Sequence, residues 1–412
     1  MKLNFIALLL LFFTSAALYS RVDVKFSGFV KTDIIYDTRQ TVAAREGHFL
    51  LFPQPELPDP NGVDINAEPN FNILSIQSRA RAVITGPEVL GAKSSGFLEG
   101  AFFGAIDPAI NQFRLRHAFV TLDWENSHLK VGQAWHPLFI TDCAPAVVSF
   151  NTGAPFQPFS RNPQIRFTQD FGRISLSIAA ISQRDFTNDG PLGPTSKYLR
   201  DAALPEGFLG LRYNSENFLI GAGGTYKILQ PRIATVTGYE TDETLASMAF
   251  EGYSKIEIDP VTVKLEGFYG QNNSNMTMIG GYGVSSFDEN THQEEYTNIN
   301  VMSFWTDISF GEDVEIGLFA GYTENLGVEE ELFPVNVPDP QANPYQTWGR
   351  GTNIKNILRF SPRVVLNYDP VRIAGEIEYT SAAFGAVSPE LELDETTEVA
   401  NLRTLIAVFI FF

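Results

Sequence analysis

The sequence is short of the features that mark most function classes. Cys143 is its one cysteine, so no internal disulfide can form and no thiol metal site has partners. Its five histidines, His48, His117, His128, His136 and His292, are scattered, and neither a His-Glu-x-x-His pair nor a Gly-x-Ser-x-Gly elbow occurs. No enzymatic activity, metal or cofactor is expected. Beyond the first twenty residues no apolar run approaches the roughly eighteen residues of a membrane-spanning helix. Basic residues are scarce beside acids, 29 against 48 for a net charge of −19, and no nucleic-acid partner is expected.

What is abundant is alternation. About sixteen β-type segments run 23–37, 71–86, 95–107, 112–125, 127–135, 163–170, 172–184, 206–214, 217–229, 245–258, 260–272, 297–310, 312–325, 352–368, 370–383 and 399–412. The first is the cleanest. Val24, Phe26, Gly28, Val30, Thr32, Ile34 and Tyr36 share one face, and Lys25, Ser27, Phe29, Lys31, Asp33, Ile35 and Asp37 share the other. Such strands carry one apolar face each, so mean hydropathy stays near zero even for a membrane protein.

The gaps between segments switch between short and long. Tight turns fall at 124–127, 170–173, 214–217, 258–261 and 368–371. Long loops fill 38–70 (loop one), 136–162 (loop three), 185–205 (loop four), 230–244 (loop five), 273–296 (loop six), 326–351 (loop seven) and 384–398 (loop eight); the second gap, around Asp107-Pro108, is short, and the turn at 87–94 reads as longer than its siblings. Short turns on one side, long loops on the other and an even strand count describe an all-β transmembrane antiparallel barrel with both termini in the periplasm. A soluble sandwich would show the same alternation. The ends of the chain separate the two readings. Residues 1–20 read as a signal peptide, with Lys2, the apolar run Phe5–Phe13 and small residues at 14–17, leaving 21–412 as the barrel. The chain ends on Phe411 and Phe412, and the terminal Phe412 is the expected handle for the barrel-assembly machinery. The outer membrane of a Gram-negative bacterium is the expected location, with lipid and lipopolysaccharide as neighbours. Tyr36, Trp124, Tyr213, Tyr253, Tyr322 and Tyr368 fall near strand ends, where interfacial aromatics belong.

The polar faces carry arginines. Arg79 and Arg81 share a face on the second strand, Arg114 and Arg116 on the fourth, Gln164, Arg166 and Thr168 on the sixth, with Arg212 on the eighth and Lys355, Arg359 and Arg363 on the fourteenth. An arginine on the lipid face costs about 2–4 kcal/mol near the midplane, so these are expected to face the lumen or lie near an interface. Asp33, Asp37, Glu99, Glu251, Glu266, Glu376 and Glu378 fall on lumen faces too. A basic wall facing acids would set a transverse field across a constriction. The third loop, 136–162, is unusually apolar for an exposed loop, with Phe139, Ile140, Val147, Val148, Phe150, Phe156 and Phe159. It is expected to fold inward as a constriction loop, with Asp142 facing the arginines.

Three motifs then carry a resemblance: Arg114-Leu-Arg-His-Ala-Phe-Val120, Val131-Gly-Gln-Ala-Trp135 and Asn162-Pro-Gln-Ile-Arg-Phe167, supported by Gly28–Tyr36 and Gly96–Phe102. Over residues 26–170 the chain resembles the DcaP-like trimeric porins of Gram-negative outer membranes. The resemblance implies a sixteen-stranded homotrimeric barrel, an inward third loop and passage of small, often anionic, organic solutes. It implies basic pore positions at Arg79, Arg81, Arg114, Arg116 and Arg166. Two departures stand out: no room for a periplasmic coiled coil before Val24, and His136-Pro137 where small polar residues are usual.

The full expected constriction set is Arg79, Arg81, Arg114, Arg116, Arg166, Asp33, Glu99, Asp142, Arg359 and Arg363. The expected function is passive diffusion of small hydrophilic solutes, favouring small organic anions. The alternatives are a phosphate or oligophosphate channel, for which Lys355, Arg359 and Arg363 extend the basic ladder, and an adhesin or structural barrel.

Overall fold

The computed structural model describes residues 22–104, 106–334 and 343–412. The signal-peptide expectation for residues 1–20 lies outside the described residues. Alternation in the sequence becomes alternation in space. Along Asp23–Asp37, Phe26, Val30, Ile34 and Tyr36 point outward and exposed, while Phe29, Lys31, Asp33, Ile35 and Asp37 are buried inside. One face meets lipid, the other the lumen.

Nineteen hydrogen-bonded segments form one continuous antiparallel sheet, closed by pairing of Asp23–Asp37 with Thr397–Phe411. Asn70–Leu74 and Arg79–Val89 are two halves of one wall strand, both paired to the first strand and interrupted at Ser75–Ser78. With those halves joined, and the loop strands Gly280–Phe287 and Thr347–Arg350 set aside, the wall is a closed barrel of sixteen strands. Closure leaves no unpaired edge. The seam is tight: the Gly28 and Phe412 backbones exchange hydrogen bonds of 2.9 and 3.1 Å, and a Cβ on Gly28 would meet the Arg79 carbonyl oxygen.

Wall strands are close to where the sequence pattern puts them. The turn expected to be long is not. The second strand continues to Val89 and the third begins at Ala92, so the chain reverses at Leu90 and Gly91, both at positive φ. A register shift between Thr85 and Glu88 absorbs Pro87, which has no N–H for the ladder. Tyr253 also departs from expectation. It is buried on the lumen face instead of standing at the membrane interface.

The third loop folds inward as its composition requires. Leu138, Phe150, Phe156 and Phe159 are buried, and Phe156 packs against Phe319 at 5.9 Å on the far wall. Full burial of such a side chain contributes about 1.5–3 kcal/mol, more than the roughly 0.5–1.5 kcal/mol of one hydrogen bond. Polar ties then fix the loop's position. Glu376 accepts from the Val148 and Ser149 N–H groups at 2.5 and 3.4 Å, Glu378 accepts from the Asn151 side chain at 2.8 Å, and Lys31 and Lys264 donate to the Val148 and Ala144 carbonyls at 2.9 Å each.

Two further loops enter the lumen, although only loop three is expected inside from the sequence pattern. In the first, the buried strand Phe49–Pro53 pairs with Thr41–Ala44 and packs Phe49 edge-on against Phe150 and tilted against Phe159 of loop three. In the sixth, Met276 and Met278 pack with Leu138, and the Phe159 N–H donates to the Met276 carbonyl at 2.8 Å.

Candidate solute pathway

The loops fill much of the upper lumen. Open space remains beside loop three, toward the short-turn end. Three cavities share lining residues in series. One of 310 Å³ touches Arg79, Arg81, Glu99, Lys130, Trp135 and Arg166; one of 270 Å³ begins at Arg166 and reaches Asp142, Arg212 and Glu251; one of 320 Å³ runs from Asp142 and Arg212 to Lys255 and Glu257.

Strand register assembles the first cavity. Arg81 stands opposite Glu99, Glu99 opposite His117, and Lys130 opposite Arg166. Like charges directly opposite each other destabilise a sheet. The Lys130–Arg166 pair is therefore a local conflict with the fold, the kind expected where a sheet serves a ligand. Arg166 is oriented by donating to Gln164 and to the Trp135 carbonyl, 2.9 Å each. Lys130 lies over the Phe119 ring at 4.8 Å. Four cationic side chains, Arg79, Arg81, Lys130 and Arg166, line this cavity against one carboxylate, Glu99.

Glu99 sits within the basic wall, not across from it. It accepts from Arg81 at 2.7 Å and Arg116 at 2.6 Å, with Arg79 at 3.9 Å and His117 at 4.0 Å. This differs from the opposed walls expected from the sequence, because cross-strand register places Glu99 between the arginine strands. Asp142 does face an arginine across the lumen, but its partner is Arg212, at 2.6 Å.

The remaining expected residues are placed apart from this cavity. Asp33 is buried between Lys31 at 2.9 Å and His48 of loop one at 2.7 Å. Arg114 pairs with Asp185 of loop four at 2.9 Å, and Arg116 is 1% exposed. Arg359 donates to the Ala154 and Leu51 carbonyls at 2.7 and 2.8 Å and to Thr380, tying loops three and one to the wall. Arg363 is held by Asp307 and Glu315, and Lys355 lies 3.4 Å from Asp394. Burial separates Arg116, Arg359 and Arg363 from open water.

Lys130 and Arg161 were not among the expected site residues. Lys130 shares the lumen parity of the short strand Ser127–Trp135, a signal that was available. Arg161 falls inside the range 136–162 read as loop, where alternation assigns no face; the wall strand in fact begins at Arg161. Asp185 lies in a loop whose contact with that strand end no local pattern reveals. Burial disfavours its ionised form, but Arg161 and Arg114 outweigh that and hold its carboxyl below the ordinary aspartate value.

A closed sixteen-stranded wall, tight turns at one end, long loops at the other and a third loop crossing the lumen define the fold of the outer-membrane porins of Gram-negative bacteria. The chain is similar to the crystal structure of the outer membrane channel DcaP of Acinetobacter baumannii, with a TM-score of 0.70 and 13% identity over 95% of this chain and 97% of that one. It is similar, with TM-scores of 0.56 and 0.55, to an anion-selective porin from Comamonas acidovorans (11% identity, 95% and 100% covered) and to in-vitro folded OmpT of Vibrio cholerae (12% identity, 96% and 100% covered). At these identities the likeness is one of fold. No protein-family model and no curated protein matches the sequence.

Proposed function

We propose that the protein is an outer-membrane porin that passes small hydrophilic solutes passively and favours small organic anions. The observation that carries this reading is the 310 Å³ cavity beside loop three, where four cationic side chains meet one carboxylate. In a narrow space with low-dielectric walls those charges act over short range with little screening, so an anion is stabilised there and a cation repelled. The next cavity holds Arg166 and Arg212 beside Asp142 and Glu251, with Arg212 paired to Asp142 at 2.6 Å, so the basic lining continues there with part of its charge offset. A phosphate or oligophosphate ladder along the fourteenth strand draws less support, since Arg359 and Arg363 are already engaged by backbone carbonyls and acids. Homotrimeric assembly and recognition of Phe412 by the assembly machinery belong to the same reading. OmpT of Vibrio cholerae has been solved in a trimer form.

Single-channel recording in planar bilayers tests it. Open steps, in threes for a trimer, with an anion-leaning reversal potential in a salt gradient are expected. Replacing Arg79, Arg81 and Arg166 by Ala should move the reversal potential toward cations. Absence of conductance removes the porin reading; an unmoved reversal potential removes the anion preference.

A further inference from the structure

Behind the solute cavity, five guanidinium groups share two carboxylates. Arg79, Arg81 and Arg116 lie within 4 Å of Glu99, and Arg114 and Arg161 contact Asp185 at 2.9 and 2.5 Å. The imbalance is deepest at Arg116 and Arg161, whose side chains are 1% and 0% exposed. Both Nη atoms of Arg116, and Nε and Nη1 of Arg161, have no hydrogen-bond partner among the described residues. The two guanidiniums lie 5.7 and 5.0 Å from the same Trp135 ring.

A buried, uncompensated charge costs several kcal/mol, and arginine does not escape by losing its proton. Buried N–H donors without acceptors add to that cost. Loop one brings another cation to the same region: Arg45 is pushed down to about 10 by burial and by the charge of Arg114. Neither Glu99 nor Asp185 hydrogen-bonds any of the four orphaned donors. The group that satisfies them must be negative, must accept from several N–H groups at once, and must be small, since their surroundings are closed to solvent.

We infer that Arg116 and Arg161 hold a small monatomic anion, chloride in the cell, enclosed by Trp135 and loop four. It is distinct from a transiting solute. The lumen cavity is lined by Arg79, Arg81, Lys130 and Arg166, and neither Arg116 nor Arg161 lines it. The anion's role is to neutralise the join between the wall, the base of loop three and loop four. The inference stands whether or not the pore selects anions.

The test uses full-length protein in detergent, exchanged into halide-free sodium gluconate and titrated with sodium chloride at constant ionic strength, with unfolding followed by circular dichroism. An anion held only by the folded state raises Tm by roughly 1–2 °C per decade of chloride above its dissociation constant. Arg161→Gln and Arg116→Gln should abolish that increment, and Arg166→Gln, on the lumen cavity, should keep it. Crystals of the unmodified chain grown with bromide should show an anomalous-scattering peak between Arg116 and Arg161, a readout independent of whether a variant folds. A Tm indifferent to chloride, an increment lost only in Arg166→Gln, or bromide found only against Lys130 and Arg166 overturns the assignment. Conductance plays no part in these readouts, so failure here and failure of the porin reading are separately visible.

Discussion

At the scale of single residues, Glu99 is the pivot of the basic wall. It is 4% exposed and accepts short hydrogen bonds from Arg81 and Arg116, so it both fixes the guanidiniums and masks part of their charge. Removing one partner of a buried ion pair costs on the order of 3–5 kcal/mol, because the other charge is left behind. Glu99→Gln is therefore expected to lower stability by about 3 kcal/mol, measured by urea unfolding of vesicle-inserted protein. The same change should make the pore more anion-selective by unmasking Arg81. Arg81 is different. Its side chain is 36% exposed, so Arg81→Ala should change stability by less than about 1 kcal/mol while moving the reversal potential toward cations. If the two variants shift selectivity in the same direction, Glu99 does not gate the charge of this wall.

At the scale of elements, loop three is an apolar plug held by polar pins, and the two can be tested apart. Gly321 on the far wall lies under Phe156, where an added Cβ would come within 2.6 Å of the ring. Gly321→Val should displace the Phe156 ring while leaving the Glu376, Glu378, Lys31 and Lys264 side chains unchanged, although Ser303, which donates to the Phe156 carbonyl at 2.7 Å, and Arg359, over its ring, lose part of their contact. Losing a buried Phe contact costs about 3–5 kcal/mol, enough to free the loop. Conductance and protease cleavage within 136–160 are then expected to rise together; unchanged conductance would mean that the loop does not limit flow. Loop one carries a pH dependence. Burial drives the pKa of His48 down, against the raising effect of Asp33 and with Lys31 and Arg403 adding to the lowering. Undocked, the imidazole takes up a proton near its ordinary 6.5; docked, it does so only at lower pH. Docking is thus fully supported above about pH 6.5 and weakens as pH falls through the docked value. Proteolysis of residues 38–69 should quicken between pH 7.5 and 5, and His48→Gln should flatten that profile; equal rates in the parent at both pH values would remove His48 from the docking. Wall strands and loop three were legible in the sequence because lipid enforces a strict two-residue parity and because seven large apolar residues cannot stay in a solvated loop. Phe49-Leu-Leu-Phe52 carried the same signal in loop one on a shorter run. Asn272–Asn275 carried none, being polar and yet wholly buried. Arg359 was placed on the correct face, but its partners Leu51 and Ala154 are more than two hundred positions away, and no local pattern reports such a contact.

At the scale of the whole molecule, two fields of opposite sign lie at different depths. The chain carries a net charge of −19, with acids concentrated in the long loops, as in Glu329-Glu-Glu331 and Glu390–Glu398, whereas the cavity beside loop three is cationic. The loop acids act through bulk electrolyte at the outer surface. The cavity acts over a few ångströms between low-dielectric walls. Salt separates them, because the Debye length falls from about 30 Å at 0.01 M to about 10 Å at 0.1 M, while closely confined charges are screened much less. At low salt the acidic mouth enriches cations and opposes the constriction; near 0.1 M the mouth is silenced and the constriction still acts. Preference for anions, read as the reversal potential under a fixed twofold gradient, should therefore increase from 0.01 M to 0.1 M. A pore ruled by its arginines alone would be most anion-selective at the lowest salt. That opposite trend, together with an unchanged profile after the loop glutamates 329–331 are converted to glutamine, would show that the outer charge does not govern what reaches the cavity.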